Sequence, residues 1–283
     1  MLVDLVLVDL VSVLTISQTL LNSTVAALMV QTSAQDRDIV CLHGFTQNRL
    51  AMVRDFVAPL ATLYRRIWFV DCPGHGMTPV EPGDPSSFFD ALVTIAPHFD
   101  LFGYSMGGRL ALWMLTTHPG VIERAVVVSA HLGITSAQAR EERQDSDERL
   151  AQRLESLPYT AGLGNQNLEL RAFLDEWNRA PLFGDRALTD SDLRLRLMNQ
   201  PTQLAASLRS YGTGQQPDLT LALQETSTQL FYLFGETDTT YRAMADRARQ
   251  LTNCEVQMID QAAHDALHDQ PRLVAAAVTE FLR

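Results

Sequence analysis

Short apolar segments alternate with segments of helical spacing along most of the 283-residue chain, and this alternation restricts the chain to one class of fold. Strands are predicted at Asp38–Leu42, Ile67–Val70, Asp100–Phe102, Ala125–Ser129, Gln229–Phe234 and Glu255–Ile259. Helical spacing lies between them, for example at Leu50–Leu63 and Leu110–Leu115, and again at Arg272–Leu282. Strands joined through helices run parallel in one sheet. We therefore expect an α/β protein with a mostly parallel central sheet flanked by helices.

The alternation stops between about residues 131 and 228, where the chain is polar, charged and helical. Helices are predicted there at Ser136–Leu157, Leu168–Trp177, Asp190–Met198 and Pro201–Tyr211. Because the strand pattern then resumes, these residues are inserted into one sheet. Open α/β sheets bind ligands at the carboxyl ends of their strands, where such an insertion would form a lid. We expect residues 1–283 to form a single domain with a helical lid at about 131–228.

Residues 1–35 differ in composition from the rest of the chain, because they contain no arginine and begin MLVDLVLVDLVSVL. A secretory signal begins with positive charge, whereas Asp4 and Asp9 lie here, and the apolar run is too interrupted for a membrane span. One interpretation is one or two edge strands. The other is that the natural chain begins at Met29, shortly before the strand at Asp38–Leu42.

Composition excludes several classes of function. A net charge of −11 argues against a nucleic-acid partner, and it means that a site for an anionic substrate must gather arginines locally. All 22 basic residues are arginine, so Schiff-base chemistry on a lysine is excluded. Cys41, Cys72 and Cys254 match no disulfide or zinc pattern. Their odd number favours a reducing, cytoplasmic location.

A serine between two glycines follows the third predicted strand, in Gly103-x-Ser105-x-Gly107. This is the nucleophile-elbow pattern, in which a sharp strand-to-helix turn exposes the serine hydroxyl above the sheet. By itself the motif is short enough to arise by chance. Here an apolar strand precedes it and a helix-forming segment follows, as the motif requires. We therefore predict Ser105 as the nucleophile-position residue.

A serine hydroxyl needs a base to take its proton and an acid to orient that base. The partners follow in the order Ser, Asp/Glu, His in this type of fold, and each lies after a strand. Asp238 follows the strand that ends at Phe234, and His264 follows the strand that ends at Ile259. We predict these two residues as the partners of Ser105. Glu236 and His268 are the alternatives, although His268 is expected inside the next helix.

Two backbone N–H groups are expected to stabilise negative charge that develops on a substrate oxygen. One belongs to Met106, directly after the serine, and the other to Phe45, in the loop after the first predicted strand. His43 and His75 invite a metal interpretation. No cluster of carboxylates and histidines with ligand spacing surrounds them, so we expect them to shape tight turns, and we expect no metal.

Three arginines could supply local positive charge. Arg109 lies four residues after Ser105, on the same face of the predicted helix, while Arg143 and Arg196 lie on lid helices. Taken alone, each is better explained as a partner in an ordinary surface ion pair, and Arg143 has several acidic neighbours. Trp177 and Phe183 are compatible with simple packing between lid helices.

Six short segments of the chain carry a resemblance to known enzymes. Many hydrolases share motifs like LHGF at Leu42–Phe45, DCPGHG at Asp71–Gly76 and GYSMGGR at Gly103–Arg109. Three segments of the predicted lid are more specific: AREERQDSD at Ala139–Asp147, FLDEWNRAPLF at Phe173–Phe183 and SLRSYGTGQQP at Ser207–Pro217. Together the six segments resemble one enzyme family, the 2-succinyl-6-hydroxy-2,4-cyclohexadiene-1-carboxylate synthases of menaquinone biosynthesis, which have an α/β-hydrolase fold. The resemblance covers roughly residues 38–283.

The resemblance implies roles for individual residues. It implies that Ser105, Asp238 and His264 form the catalytic triad. It assigns substrate binding to a further set, namely Tyr104, Arg109, Arg143, Arg196, Trp177 and Phe183. Ala263 departs from the family, whose members often have glycine before the catalytic histidine, and the change would reduce the freedom of that loop.

The reaction that the resemblance implies is an elimination of pyruvate from a tricarboxylate, 2-succinyl-5-enolpyruvyl-6-hydroxy-3-cyclohexene-1-carboxylate, with no metal or organic cofactor. Three arginines match three carboxylates, because guanidinium pairs with carboxylate in a two-pronged geometry. Two alternatives stay open. The first is an esterase or carbon–carbon bond hydrolase on the same scaffold. The second is a ligand-binding protein that keeps the fold without turnover.

Overall fold

The computed structural model, which describes residues 14–81, 83–184 and 186–283, is built around one eight-stranded sheet. Its strands are β1 (Thr15–Leu21), β2 (Val25–Gln31), β3 (Asp38–Leu42), β4 (Arg66–Val70), β5 (Phe99–Tyr104), β6 (Ile122–Val128), β7 (Gln229–Gly235) and β8 (Cys254–Ile259). They lie in the order β1-β2-β4-β3-β5-β6-β7-β8. Neighbours from β4 to β8 in this order are parallel, and only the pairings of β2 are antiparallel. The predicted mostly parallel α/β architecture is confirmed.

Helices connect the strands and cover both faces of the sheet. They are α1 (Val53–Leu60), α2 (Ser86–Leu92), α3 (Met106–Thr117), α4 (Ala137–Glu155), α5 (Leu168–Asn178), α6 (Asp190–Arg196), α7 (Pro201–Tyr211), α8 (Thr220–Gln224), α9 (Thr239–Ala248), α10 (Ala266–Asp269) and α11 (Pro271–Phe281). All residues of β3 and β5 are buried, as expected for inner strands of a parallel sheet.

Alternate residues of the inner strands enter two separate cores. In β3, Ile39 and Cys41 pack in the core that includes α1 and α11, whereas Val40 and Leu42 pack in the core that includes α3. This follows from the period of two along a strand. Each predicted strand is present, with ends shifted by up to three residues. The sequence pattern did not indicate α2 or α9.

The N-terminal region contributes a hairpin, β1 and β2, at one edge of the sheet. Met29 lies in the middle of β2, opposite Ser17 on one side and Trp68 on the other. A chain that began at Met29 would lack β1 and the first half of β2, including the fully buried Leu28. Among the described residues before β3, Thr15–Leu21 therefore form the edge strand of the sheet and Val25–Gln31 form the strand beside it. Residues 1–13 lie outside the described residues.

The segment between β6 and β7 holds α4 to α8 and packs around a core of its own, which includes Leu154, Leu170 and Leu204. Two buried amides attach it to the loop after β3. Asn199 Nδ2 donates to the Thr46 carbonyl at 2.7 Å, and Asn48 Nδ2 donates to the Leu195 carbonyl at 2.7 Å. None of the helices in the described part of the chain has the length and apolar character that a membrane crossing requires.

The hairpin yields a test of stability. Replacing Leu28 with alanine should lower the free energy of unfolding by about 2–5 kcal/mol, because a fully buried side chain leaves a cavity. Leu20→Ala is the matched control: Leu20 is 52% exposed on the same hairpin, and its replacement should change stability by less than about 0.5 kcal/mol. Urea unfolding measures both. Equal losses in the two variants would contradict the placement of β2 in the core.

Candidate active site

Ser105 lies at the junction of β5 and α3 with a strained backbone, φ 50° and ψ −108°. The flanking glycines make this turn sterically feasible. A Cβ on Gly107 would lie 2.3 Å from the Leu42 carbonyl oxygen, and one on Gly103 would lie 2.5 Å from the Gly107 carbonyl oxygen. No side chain fits at such separations, so the two glycines let the helix start against the neighbouring strands. The elbow predicted from the motif is present.

The three residues predicted as a triad are joined by two hydrogen bonds. Ser105 Oγ lies 2.9 Å from His264 Nε2, and His264 Nδ1 lies 2.8 Å from Asp238 Oδ2. Asp238 caps α9, where its other oxygen accepts a hydrogen bond from the Tyr241 N–H at 3.1 Å. The imidazole and the carboxylate are each only 1% exposed. A buried carboxylate that accepts a hydrogen bond from Nδ1 keeps the imidazole proton on that nitrogen. Nε2 is then free to accept the serine proton.

The alternative acid and base lie elsewhere. His268 is inside α10, with its ring nitrogens 3.4 Å from Asp192 and 3.1 Å from Asp265. Burial lowers the pKa of His268, but the two carboxylates outweigh it and raise the pKa to about 9. Glu236 accepts a hydrogen bond from the Gln261 N–H at 2.9 Å and makes no contact with His264. Neither residue is joined to Ser105.

Aromatic rings surround the imidazole of His264. The ring centroids of Tyr241, Phe183 and Tyr104 lie 4.5, 5.4 and 5.8 Å from that of His264. Phe183 comes from the segment between β6 and β7, whereas Tyr104 lies at the end of β5 and Tyr241 lies in α9. This packing fixes the orientation of the imidazole and keeps bulk water from it.

Phe45 and Met106 lie at the positions expected for oxyanion donors. The Gly107 N–H donates to the His43 carbonyl at 3.1 Å and so joins the start of α3 to the loop that carries Phe45. Within residues 14–81, 83–184 and 186–283, the N–H groups of Phe45 and Met106 donate to no protein acceptor. Both residues line the cavity above Ser105, so both donors are available to a substrate oxygen.

His43 and His75 shape the turns that carry this loop. His43 Nε2 accepts from the Cys72 N–H at 3.0 Å, and His75 Nε2 accepts from the Thr46 N–H at 3.2 Å. Their Nδ1 atoms lie 2.8 and 3.0 Å from backbone carbonyls. Burial lowers the pKa of His43 to about 4 and that of His75 to about 3, so both rings are neutral. Among the described residues, no group of histidine, cysteine and carboxylate side chains has metal-binding geometry.

The three arginines line the same cavity from different directions. Arg109 is buried and donates to the Tyr211 carbonyl at 2.9 Å, and burial lowers its pKa to about 10, which leaves it charged at neutral pH. Arg196 is buried and donates to Thr46 Oγ1. Arg143 is 42% exposed and forms an ion pair with Asp147 at 2.8 Å. The cavity therefore carries strong positive charge in an acidic protein.

Of the eleven residues predicted from the sequence to act as the triad, the oxyanion donors or the substrate-binding residues, ten line this cavity, and Asp238 does not. Asp238 lies behind His264. Residues that sequence reasoning missed also line it, namely Gln47, Leu182, Ser207, Leu208, Tyr211, Gly212, Thr213 and Tyr241. Most of them lie in the segment between β6 and β7, where the orientation of a side chain depends on how the helices pack. Gln47 lies two residues after the LHGF motif, and this position could have indicated Gln47 as a site residue.

Comparison with known proteins supports these observations. Residues 39–277 match the alpha/beta hydrolase family. Solved structures with low sequence identity share the fold, including an esterase from Thermogutta terrifontis that is 21% identical, with a TM-score of 0.68 over 95% of this chain and 98% of the esterase. The class of protein is therefore an α/β hydrolase.

Relatives with higher sequence identity define the family within this class of protein. The 2-succinyl-6-hydroxy-2,4-cyclohexadiene-1-carboxylate synthase of Escherichia coli O1:K1 is 33% identical over 257 residues, which cover 87% of this chain and 93% of the relative. The synthase of Escherichia coli O157:H7 is 34% identical over the same shares. MenH from S. aureus has a TM-score of 0.79 at 25% identity, over 90% of this chain and 97% of that chain. The chain belongs to the 2-succinyl-6-hydroxy-2,4-cyclohexadiene-1-carboxylate synthase family.

Proposed function

We propose that the enzyme eliminates pyruvate from 2-succinyl-5-enolpyruvyl-6-hydroxy-3-cyclohexene-1-carboxylate and releases 2-succinyl-6-hydroxy-2,4-cyclohexadiene-1-carboxylate, in the biosynthesis of menaquinone or phylloquinone. The observation that carries the proposal is one cavity in which three arginines face a hydrogen-bonded serine and histidine. The substrate bears three carboxylates, one on the ring, one on the succinyl chain and one on the enolpyruvyl group. An ordinary ester would not require this concentration of positive charge.

The reaction begins with removal of a proton from the ring carbon beside the succinyl carbonyl. Ser105 passes its own proton to His264 and takes the ring proton, while Asp238 holds His264 in the required tautomer. The ring carbon is acidified by the adjacent carbonyl, because the negative charge moves to the carbonyl oxygen. The N–H groups of Phe45 and Met106 stabilise that enolate oxygen, aided by the positive end of α3.

The elimination is completed without added water. As the enolate collapses, the ring double bond shifts and the carbon–oxygen bond to the enolpyruvyl group breaks. The protonated His264 returns a proton to the leaving enolate, which becomes pyruvate, and Ser105 regains its hydroxyl. The proton count balances, because the ring proton that Ser105 keeps replaces the serine proton that His264 delivers to pyruvate, and no step requires a metal or an organic cofactor.

The remaining cavity residues bind and orient the substrate. Arg109, Arg143 and Arg196 pair with the carboxylates, which also reverses the local potential of a chain with net charge −11. Tyr104, Trp177 and Phe183, which also line the cavity, contact the substrate ring. These apolar faces exclude water, which strengthens the ion pairs.

We propose that the chain is a single domain in which residues 131–228 act as a lid. The lid supplies two of the three arginines, and Trp177 of the lid packs edge-on against Phe45 of the body at 5.4 Å between ring centroids. We also propose a cytoplasmic location and a small-molecule tricarboxylate as the partner. The three cysteines are free thiols, as is usual in a reducing compartment.

Replacing Ser105 with alanine should reduce the rate of pyruvate release by about 10³-fold or more, because the base is lost while the binding residues remain. A coupled lactate dehydrogenase assay follows pyruvate, and a melting curve confirms that the variant is folded. Full release of pyruvate by Ser105→Ala would contradict the assignment of the serine as base. Hydrolysis of short acyl esters without pyruvate release by the wild type would support the hydrolase alternative. Binding without either product would support a non-catalytic protein.

Replacing Arg143 with alanine should reduce kcat/KM for the tricarboxylate by about 10- to 100-fold, the loss of one charge-assisted carboxylate contact of about 1.4–2.8 kcal/mol. Arg149→Ala is the matched control. Arg149 is exposed on the same helix and lies outside the cavity, so its replacement removes the same charge without removing a cavity residue. Steady-state pyruvate release measures both variants. An equal decrease in the two would show that only net charge matters.

A further inference from the structure

Gln47 is a buried polar residue that lines the cavity and takes no part in the proton transfers of the proposed elimination. It is 2% exposed, lies in the loop after β3 and lines the cavity together with Phe45, Tyr104 and Arg196. A buried amide that makes no use of its donors is unfavourable unless something else binds them. The hydrogen-bond partners of the Gln47 amide therefore indicate whether its N–H donors are left for a ligand.

The orientation of the Gln47 amide is fixed by its own loop. Its Oε1 accepts a hydrogen bond from the Gly44 N–H at 2.9 Å. A backbone N–H can only donate, so the atom that faces it must be the amide oxygen, and the usual ambiguity between oxygen and nitrogen does not arise. Within the described ranges 14–81, 83–184 and 186–283, no protein group accepts from Gln47 Nε2. Two N–H donors are thus left for a molecule in the cavity.

The loop around Gln47 is held rigidly. Thr46 has a left-handed backbone with φ 67°, and its N–H donates to His75. Asn199 Nδ2 donates to the carbonyls of both Thr46 and Gln47, at 2.7 and 3.2 Å. A donor on such a support is already oriented before the ligand binds, so little conformational entropy is lost on binding.

Arg196 is attached to the same loop. Its Nη1 donates to Thr46 Oγ1, the side chain next to Gln47, and Arg196 lines the same cavity. The Gln47 amide and the Arg196 guanidinium thus approach the cavity from adjacent positions. Both present only donors to it, which suits an acceptor with two oxygens and a negative charge.

We propose that Gln47 is a substrate-binding residue whose amide nitrogen donates to the substrate carboxylate that pairs with Arg196. This inference rests on the proposed function, because that function supplies the carboxylate. It adds a neutral donor to the three arginines, and it makes the loop after β3 serve both the enolate oxygen, through Phe45, and a carboxylate, through Gln47.

The decisive variant is Gln47→Glu. A glutamate keeps an oxygen for the Gly44 N–H, so the support of the loop is retained, but it replaces the donor that faces the cavity with an anionic oxygen. We expect KM for the tricarboxylate to rise at least about 10-fold, with kcat changed by less than about 3-fold and an unchanged melting temperature. Gln250→Glu is the matched control, because the same charge change at an exposed position outside the cavity should leave KM unchanged.

A second measurement tests the pairing with Arg196. Gln47→Met removes the donors without adding charge, and it is combined with Arg196→Gln in a double-mutant cycle on KM. Two donors on one carboxylate should give non-additive effects. Fully additive effects, an unchanged KM in Gln47→Glu, or equal falls in kcat and melting temperature in both Gln47 variants would overturn the proposal.

The behaviour of the wild-type enzyme distinguishes a failure of the Gln47 proposal from a failure of the proposed function. If the wild type releases pyruvate and Gln47→Glu behaves like the wild type, only the role of Gln47 is wrong. If the wild type releases none, the proposed function is wrong. The role of Gln47 is then judged by titration with propane-1,2,3-tricarboxylate, whose binding Gln47→Glu should weaken at least about 10-fold and Gln250→Glu should not.

Discussion

The structure depends first on the strained backbone of Ser105. A left-handed φ at a residue with a side chain is unfavourable by about 1–3 kcal/mol, and here it is maintained by the packing of α3 directly against β3. Gly107 permits that contact, because its Cα lies where a side chain would overlap the Leu42 carbonyl. The same contact brings the loop after β3 beside the start of α3. The serine hydroxyl, the N–H groups of Phe45 and Met106, and Gln47 therefore share one rigid junction.

The second constraint is electrostatic. The chain carries a net charge of −11, yet its cavity contains two buried arginines and a third at the rim. Burial of a guanidinium is unfavourable without partners, and Arg109 has a backbone carbonyl and the Gln216 amide oxygen, at 2.9 and 3.4 Å. Neither of these partners is an anion. The positive charge is thus only partly compensated within the protein, which is the state that favours binding of an anionic substrate.

Much of this arrangement could be predicted from the sequence. The strand pattern and the glycines around Ser105 indicated the fold, and the order of Asp238 and His264 after β7 and β8 indicated the triad residues. These signals are local, because each depends on a turn or on the end of a strand. The contacts that depend on packing could not be predicted. The hydrogen bond from Arg196 to Thr46 and the packing of Trp177 against Phe45 arise where the segment between β6 and β7 meets the loop after β3, and no sequence period encodes that meeting.

An elimination that begins with loss of a ring proton can be followed with substrate deuterated at the ring carbon beside the succinyl carbonyl. The product is analysed by mass spectrometry after complete reaction with the wild-type enzyme. We expect a cyclohexadiene that has lost the deuterium, together with one equivalent of pyruvate. A ring product that retains the deuterium and carries a new hydroxyl in place of the enolpyruvyl group would instead show hydrolysis of the enol ether, and the proposed elimination would be wrong.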